Sequence, residues 1–139
     1  MSGRISSRRL ETLSRQLSPR QRMADPCPIT THVLDTSSGM PASNLMIRLE
    51  KKDEASGEWH PLKTMRTNND GRCPGFTQGH KLENCLYRIT FETADYFRQQ
   101  GKPCFYPEVV ITFLVEYPEQ HYHVPIILGP YGYSTYRGS

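Results

Sequence analysis

The sequence predicts an all-β domain, an antiparallel β-sandwich of about eight strands with one short helix, behind an N-terminal leader. Three observations carry this reading. From Ile29 onward, short stretches with apolar residues at every second position recur between clusters of turn-forming residues. Eleven prolines and ten glycines punctuate the 139 residues, which favours short strands over long helices. Only one segment of the body carries a helical pattern.

The leader comes first. RLETLSRQL, residues 9–17, puts Leu10, Leu13 and Leu17 at i, i+3 and i+7, one stripe of an amphipathic helix. Six of the 17 basic residues but only one of the 14 acidic residues lie in residues 1–24. The net charge of +3 therefore belongs to the leader, and the body is net negative. The order Arg-Leu, five residues, Gln-Leu resembles the type 2 peroxisomal targeting nonapeptide, which implies a helix read by a peroxisomal import receptor. An acid-poor, Arg- and Ser-rich helix also suits a mitochondrial presequence, and a cytoplasmic location is the further alternative. SPRQRMADPCP reads as a linker, so residues 1–24 form the leader and residues 25–139 the domain.

The body then runs strand by strand. ITTHVLD is a strand stopped by the turn cluster TSSG, and NLMIRLEKK follows with Leu45, Ile47 and Leu49 on one face. EWHPLKTMRT leads into NNDG, residues 68–71, a tight turn because Asn and Gly tolerate positive φ. LYRITFE sets Tyr87, Ile89 and Phe91 against Arg88 and Thr90. ETADYFRQQG is the helix, with Thr93 as N-cap and Gly101 as stop. EVVITFLVEY carries Val109, Ile111, Phe113 and Val115 on one face, with Val110 and Leu114 on the other. HYHVPIIL and YSTYRG complete the set, and the alternation in YGYSTYRGS predicts a strand packed to its last position.

Composition narrows the function. No apolar run approaches the roughly 20 residues of a membrane span. A basic leader on an acidic body argues against nucleic-acid binding, which needs a basic patch on the fold itself. Cys27, Cys73, Cys85 and Cys104 are too far apart for a CxxC motif, and the N-terminus lacks the apolar core of a secretory signal. Reduced thiols in an intracellular compartment are expected.

Two long motifs resemble the signatures of the transthyretin family: HVLDTSSGMPASNLMIRLEK and, at the other end, YHVPIILGPYGYSTYRGS. The resemblance covers nearly all of residues 28–139 and implies the family's sandwich, assembled as a homotetramer, a dimer of dimers. The family has a branch that carries hormones and a branch that hydrolyses 5-hydroxyisourate in urate breakdown. The closing Tyr136, Arg137, Gly138 and Ser139 match the hydrolytic branch. So do His32, Arg72, His123 and Tyr136, where the carrier has lysine, glutamate, threonine and a small threonine that leaves its channel open. One departure is Gly129, a position usually serine in both branches; a turn is expected there, with little consequence.

The resemblance implies sites where dimers meet, with 5-hydroxyisourate as the small-molecule substrate. His32 and His123 would orient and deprotonate a water, and Arg72 would grip the substrate and steady developing negative charge. Ser139, by its hydroxyl or a terminal carboxylate, would touch substrate or a histidine; Tyr136 and Ser134 would wall the pocket, and Arg137 would support the terminus. The chemistry suits these residue types. Histidine titrates near working pH, and the planar guanidinium fork of arginine matches carbonyl and anionic edges. On spacing alone, a strand histidine or an arginine after a turn reads more readily as structure than as catalysis. The HYH pair has zinc-like spacing but no third ligand nearby in sequence. Ser134 lacks the G-x-S-x-G elbow of a nucleophile, which favours direct attack by water with no covalent intermediate; no cofactor and no metal are expected. The competing expectation is a non-catalytic carrier of thyroxine-type aromatics.

Overall fold

The computed structural model describes residues 27–139; the leader, its targeting nonapeptide and the start of the linker lie outside them. Among the described residues, eight strands and one helix follow in chain order: β1 (Ile29–Asp35), β2 (Met40–Pro41), β3 (Met46–Lys52), β4 (Trp59–Arg66), β5 (Cys85–Phe91), α1 (Thr93–Arg98), β6 (Val109–Val115), β7 (Tyr122–Gly129) and β8 (Gly132–Thr135). They form two four-stranded sheets, ordered β2-β1-β7-β8 and β4-β3-β5-β6. Among the described residues no helix is long and apolar enough to cross a membrane.

Period-two alternation builds the core. Leu45, Ile47 and Leu49 turn inward with Tyr87, Ile89 and Phe91, and meet Ile29, Val33, Ile126 and Leu128 of the other sheet. Val109 and Val115 are buried at the ends of β6, whereas Val110 and Leu114 face outward and are exposed. Asp35, at the end of β1, is fully buried yet satisfied. Its carboxylate accepts from Ser37 N at 2.8 Å, Ser37 Oγ at 2.6 Å and Tyr96 Oη at 2.7 Å. Burial alone would raise its pKa, but the hydrogen bonds from Ser37 and Tyr96 outweigh that and hold it below the ordinary value. The same contact, after burial, pushes the Tyr96 phenol up to about 12 and ties α1 to β1. All four cysteines are free thiols, and burial pushes Cys73 up to about 12, so it stays protonated.

Five expectations need correction in detail. Five of the six strand pairings are antiparallel, but β1 and β7 run parallel, His32 opposite Pro125 and Thr30 opposite His123. The two-residue β2 was not foreseen, because its register with Leu34 and Asp35 is set by the folded sheet. Thr93 is the first helical residue rather than the cap, and its hydroxyl donates to the Tyr106 carbonyl. Gly129 closes β7 opposite Gly132 instead of lying in the turn, and a Cβ there would sit 2.8 Å from Thr36 Oγ1. Finally, β8 stops at Thr135 with all four residues exposed, so the closing strand is neither packed nor continuous. Gly101 does follow the helix with φ of +67°, as its stop.

Candidate active site

β1 presents Thr30, His32 and Leu34 on the outer face of its sheet, because the alternate residues Ile29, Thr31 and Val33 are committed to the interior. β7 likewise turns Tyr122 and Val124 inward, which sends His123 outward beside Thr30. The parallel register leaves His32 two residues along from His123 on the neighbouring strand, roughly 8 Å between Cα atoms for regular strand spacing.

Arg72 arrives from the other side. The turn at residues 68–71 folds back on itself, with Asn68 Oδ1 accepting from Asp70 N and Arg72 N, and then docks on the free edge of β1. Val33 N donates to Gly71 O at 2.9 Å, and Arg72 forms an antiparallel bridge with His32. Paired residues share a face, so Arg72 lies beside His32 on the outer surface. Only glycine fits at 71: φ is +72°, and a Cβ would lie 2.4 Å from Val33 O. Further along, Thr77 Oγ1 donates to Ile29 O and accepts from Ile29 N, which seals the same edge.

The third approach is from the C-terminal segment. Gly138 N donates to His123 O at 2.8 Å, in a bridge beyond the end of β8. The imidazole lies so close to Gly138 that a Cβ there would stand 2.4 Å from His123 Cδ2. Arg137 points the other way: its guanidinium covers the Tyr122 ring at 4.4 Å and donates to Gln120 Oε1 and His121 O. These contacts clamp the segment on both sides of Gly138. Ser139 follows on at the His123 edge, exposed, while Ser134 and Tyr136 lie further along the same outer face. Exchange of Gly138 for alanine is expected to displace the His123 ring, lowering turnover about tenfold while thermal stability falls little. Unaltered turnover in that variant would mean that the ring position is immaterial.

The His123 ring is held at Nδ1 by Thr30 Oγ1 at 2.8 Å, and the same hydroxyl meets His121 Nε2 at 3.0 Å. Burial lowers the pKa of His123, and the charges of Arg72, His121 and His32 push in the same direction. The site therefore joins a neutral imidazole, a second imidazole and a guanidinium on one open surface. His32, Arg72 and His123, expected from the sequence at the site, do come together. Thr30, Gly71 and Gly138 carry no comparable mark in the sequence, beyond the alternation that puts Thr30 on the face of His32.

A sequence profile described as the HIUase/Transthyretin family matches residues 29–138. A 5-hydroxyisourate hydrolase of Mus musculus is 43% identical over 112 residues, covering 81% of this chain and 95% of that protein. Among solved structures, a 5-hydroxyisourate hydrolase from Klebsiella pneumoniae superposes with a TM-score of 0.69 at 32% identity, over 81% of this chain and 94% of that one. Sea bream transthyretin in complex with thyroxine gives 0.76 at 27% identity, over 81% and 95%. Backbone shape is thus common to that hydrolase and to transthyretin.

Proposed function

The chain belongs to the HIUase/transthyretin family, and from that premise we propose that it hydrolyses 5-hydroxyisourate to 2-oxo-4-hydroxy-4-carboxy-5-ureidoimidazoline in urate degradation. The observation that carries this is the meeting of His32, Arg72 and His123 on one outer sheet face, with Gly138 against the His123 ring. In this reaction a water oxygen bonds to a ring carbonyl carbon, an oxyanion forms, and the ring C–N bond breaks as its nitrogen takes up a proton. His123 takes the proton from water and returns it to the leaving nitrogen. Its lowered pKa keeps it unprotonated at neutral pH. Arg72 grips the substrate and steadies the oxyanion. His32 orients the water and the heterocycle between them. Ser139 contacts substrate or a histidine, and Ser134 and Tyr136 wall the far side.

The test is the ultraviolet decay of freshly made 5-hydroxyisourate. Added protein should accelerate it well beyond the spontaneous rate, and a rate equal to the spontaneous one would leave the carrier reading standing.

An outer face makes a pocket only when something covers it, which supports a homotetramer. β6 and β8 are edge strands of the two sheets. Between them opens a groove of about 280 Å³, lined by Ile111, Phe113, Tyr122, Val124, Thr135 and Arg137. Leu114 and Tyr136 nearby are 52% and 57% exposed, surface suited to burial against further copies. Sedimentation at micromolar protein should give a mass near four chains. The leader supports peroxisomal import through residues 9–17, and a reporter joined to residues 1–24 should collect in peroxisomes.

A further inference from the structure

Thr30 has no part in the proposed reaction as described above, yet its hydroxyl touches two imidazoles at once. We propose that Thr30 and His121 are positioning residues that fix the working tautomer of His123 through a hydroxyl-bridged relay, His123 Nδ1 to Thr30 Oγ1 to His121 Nε2. The inference rests on the hydrolytic reading above and deepens it.

The geometry limits the possibilities. A threonine hydroxyl has one proton to give and two lone pairs with which to accept. At 2.8 and 3.0 Å it bonds both rings, so its proton settles on one of them. In the first arrangement His123 Nδ1–H donates to Thr30, and Thr30 donates to His121 Nε2. His123 Nε2 then carries a lone pair and serves as a base. In the second arrangement His121 Nε2–H donates to Thr30, Thr30 donates to His123 Nδ1, and His123 Nε2 bears the proton. The two interconvert by a concerted shift along the chain coupled to uptake of one proton at His123 Nε2. When Nε2 of His123 takes a proton from water, its Nδ1 proton passes to Thr30 Oγ1, and the Thr30 proton passes to His121 Nε2. The bonds formed are Nε2–H on His123, O–H on Thr30 and Nε2–H on His121; those broken are O–H of water, Nδ1–H of His123 and the former O–H of Thr30. The positive charge ends on His121, one step further from Arg72's side of the site. The reverse shift restores the proton to His123 Nε2 for the leaving nitrogen.

Position supports the assignment. Thr30 lies directly opposite His123 in the parallel register, and both point outward, so a hydroxyl at 30 meets the ring without any strained approach. His121 is fixed by its own carbonyl, which accepts from Arg137 at 3.2 Å, so the segment that lays Gly138 on His123 also secures the far end of the relay. The groups around His123 are Arg72 and His32 from the β1 side and His121 from its own segment.

The experiment compares Thr30→Val, which keeps the shape and removes the hydroxyl, with Thr30→Ser, which keeps the hydroxyl. In the full chain, Thr30→Val should lower kcat about tenfold, the worth of one well-placed hydrogen bond, with KM nearly unchanged. Thr30→Ser should remain within about twofold of the parent. Imidazole ¹⁵N spectra should show His123 bearing its proton on Nδ1 in the parent and losing that preference in Thr30→Val. His121→Phe, which leaves the β1 strand intact, should lower kcat by a similar factor and keeps the test open should Thr30→Val fold poorly. Parent-like kcat in either Thr30→Val or His121→Phe, or equal losses in Thr30→Val and Thr30→Ser, would overturn the relay. An inactive parent protein would instead remove the hydrolytic reading itself.

Discussion

Exchange of His123 for alanine is expected to lower kcat/KM for 5-hydroxyisourate by about 10²- to 10⁴-fold, the range of a positioned general base. The structure gives that one side chain three converging supports: Thr30 at Nδ1, Gly138 against Cδ2 and the backbone bridge from Gly138 to its carbonyl. Nδ1 is engaged with Thr30, which leaves Nε2 as the nitrogen available to a water. The fold should survive, because the ring lies on the outer face while its neighbours Tyr122 and Val124 hold the core. Progress curves corrected for spontaneous decay, with a thermal melt beside them, measure both. A loss below tenfold with an intact fold would move the basic role elsewhere, and His32 would be the next candidate. In the proposed mechanism the base works unprotonated, and the pKa of His123 lies below the ordinary 6.5. Activity should therefore persist as pH falls past 6.5 and be lost only on passing the lowered value. Stability follows the same sign. The unfolded chain binds this proton first on acidification, so the contribution of neutral His123 is present above 6.5 and lost as pH falls through the folded pKa.

Exchange of Arg72 for alanine should produce the second large effect, about 10²- to 10³-fold in kcat/KM, the scale of removing one oxyanion donor. It should carry a signature that a merely structural loss lacks. Arg72 is among the charges that lower the His123 pKa, so its removal should move the acid limb of the pH profile upward. Arg72→Lys should restore much of the pH position, since the charge returns, but less of the rate, since the planar fork does not. An acid limb that stays in place in Arg72→Ala would show that the two groups do not sense each other. Because Gly71 and Asn68 fix the turn through backbone contacts, neither variant should unfold the loop.

Much of the sandwich is legible in the sequence because its signal is local. The alternations Leu45, Ile47, Leu49 and Tyr87, Ile89, Phe91 read directly as inward faces, and Asn68 to Gly71 as a tight turn. What escaped is long-range. Nothing near Ile29 says that its strand will lie parallel to one beginning at Tyr122, and nothing near Met40 says that two residues will pair with Leu34 and Asp35. The glycines at 71 and 138 are required by atoms of Val33 and His123, far away in the chain, so their role is invisible locally. The same holds for the site. His32, Arg72 and His123 stand out in sequence only through resemblance to a family, since each by itself has an ordinary structural explanation. Their convergence comes from a register and an edge contact that spacing does not encode.

The parallel pairing of β1 with β7 also has a temporal consequence. These strands are joined by most of the domain, so their meeting closes a very long loop, and such pairings form slowly. Thr30 and His32 wait for His123 while the other sheet, built from β3, β4, β5 and β6, pairs over shorter separations. In refolding, the second sheet should gain protection from hydrogen exchange before the β1–β7 ladder does. Catalytic activity should then return no earlier than this ladder, so that turnover times the β1–β7 pairing together with the assembly that follows it.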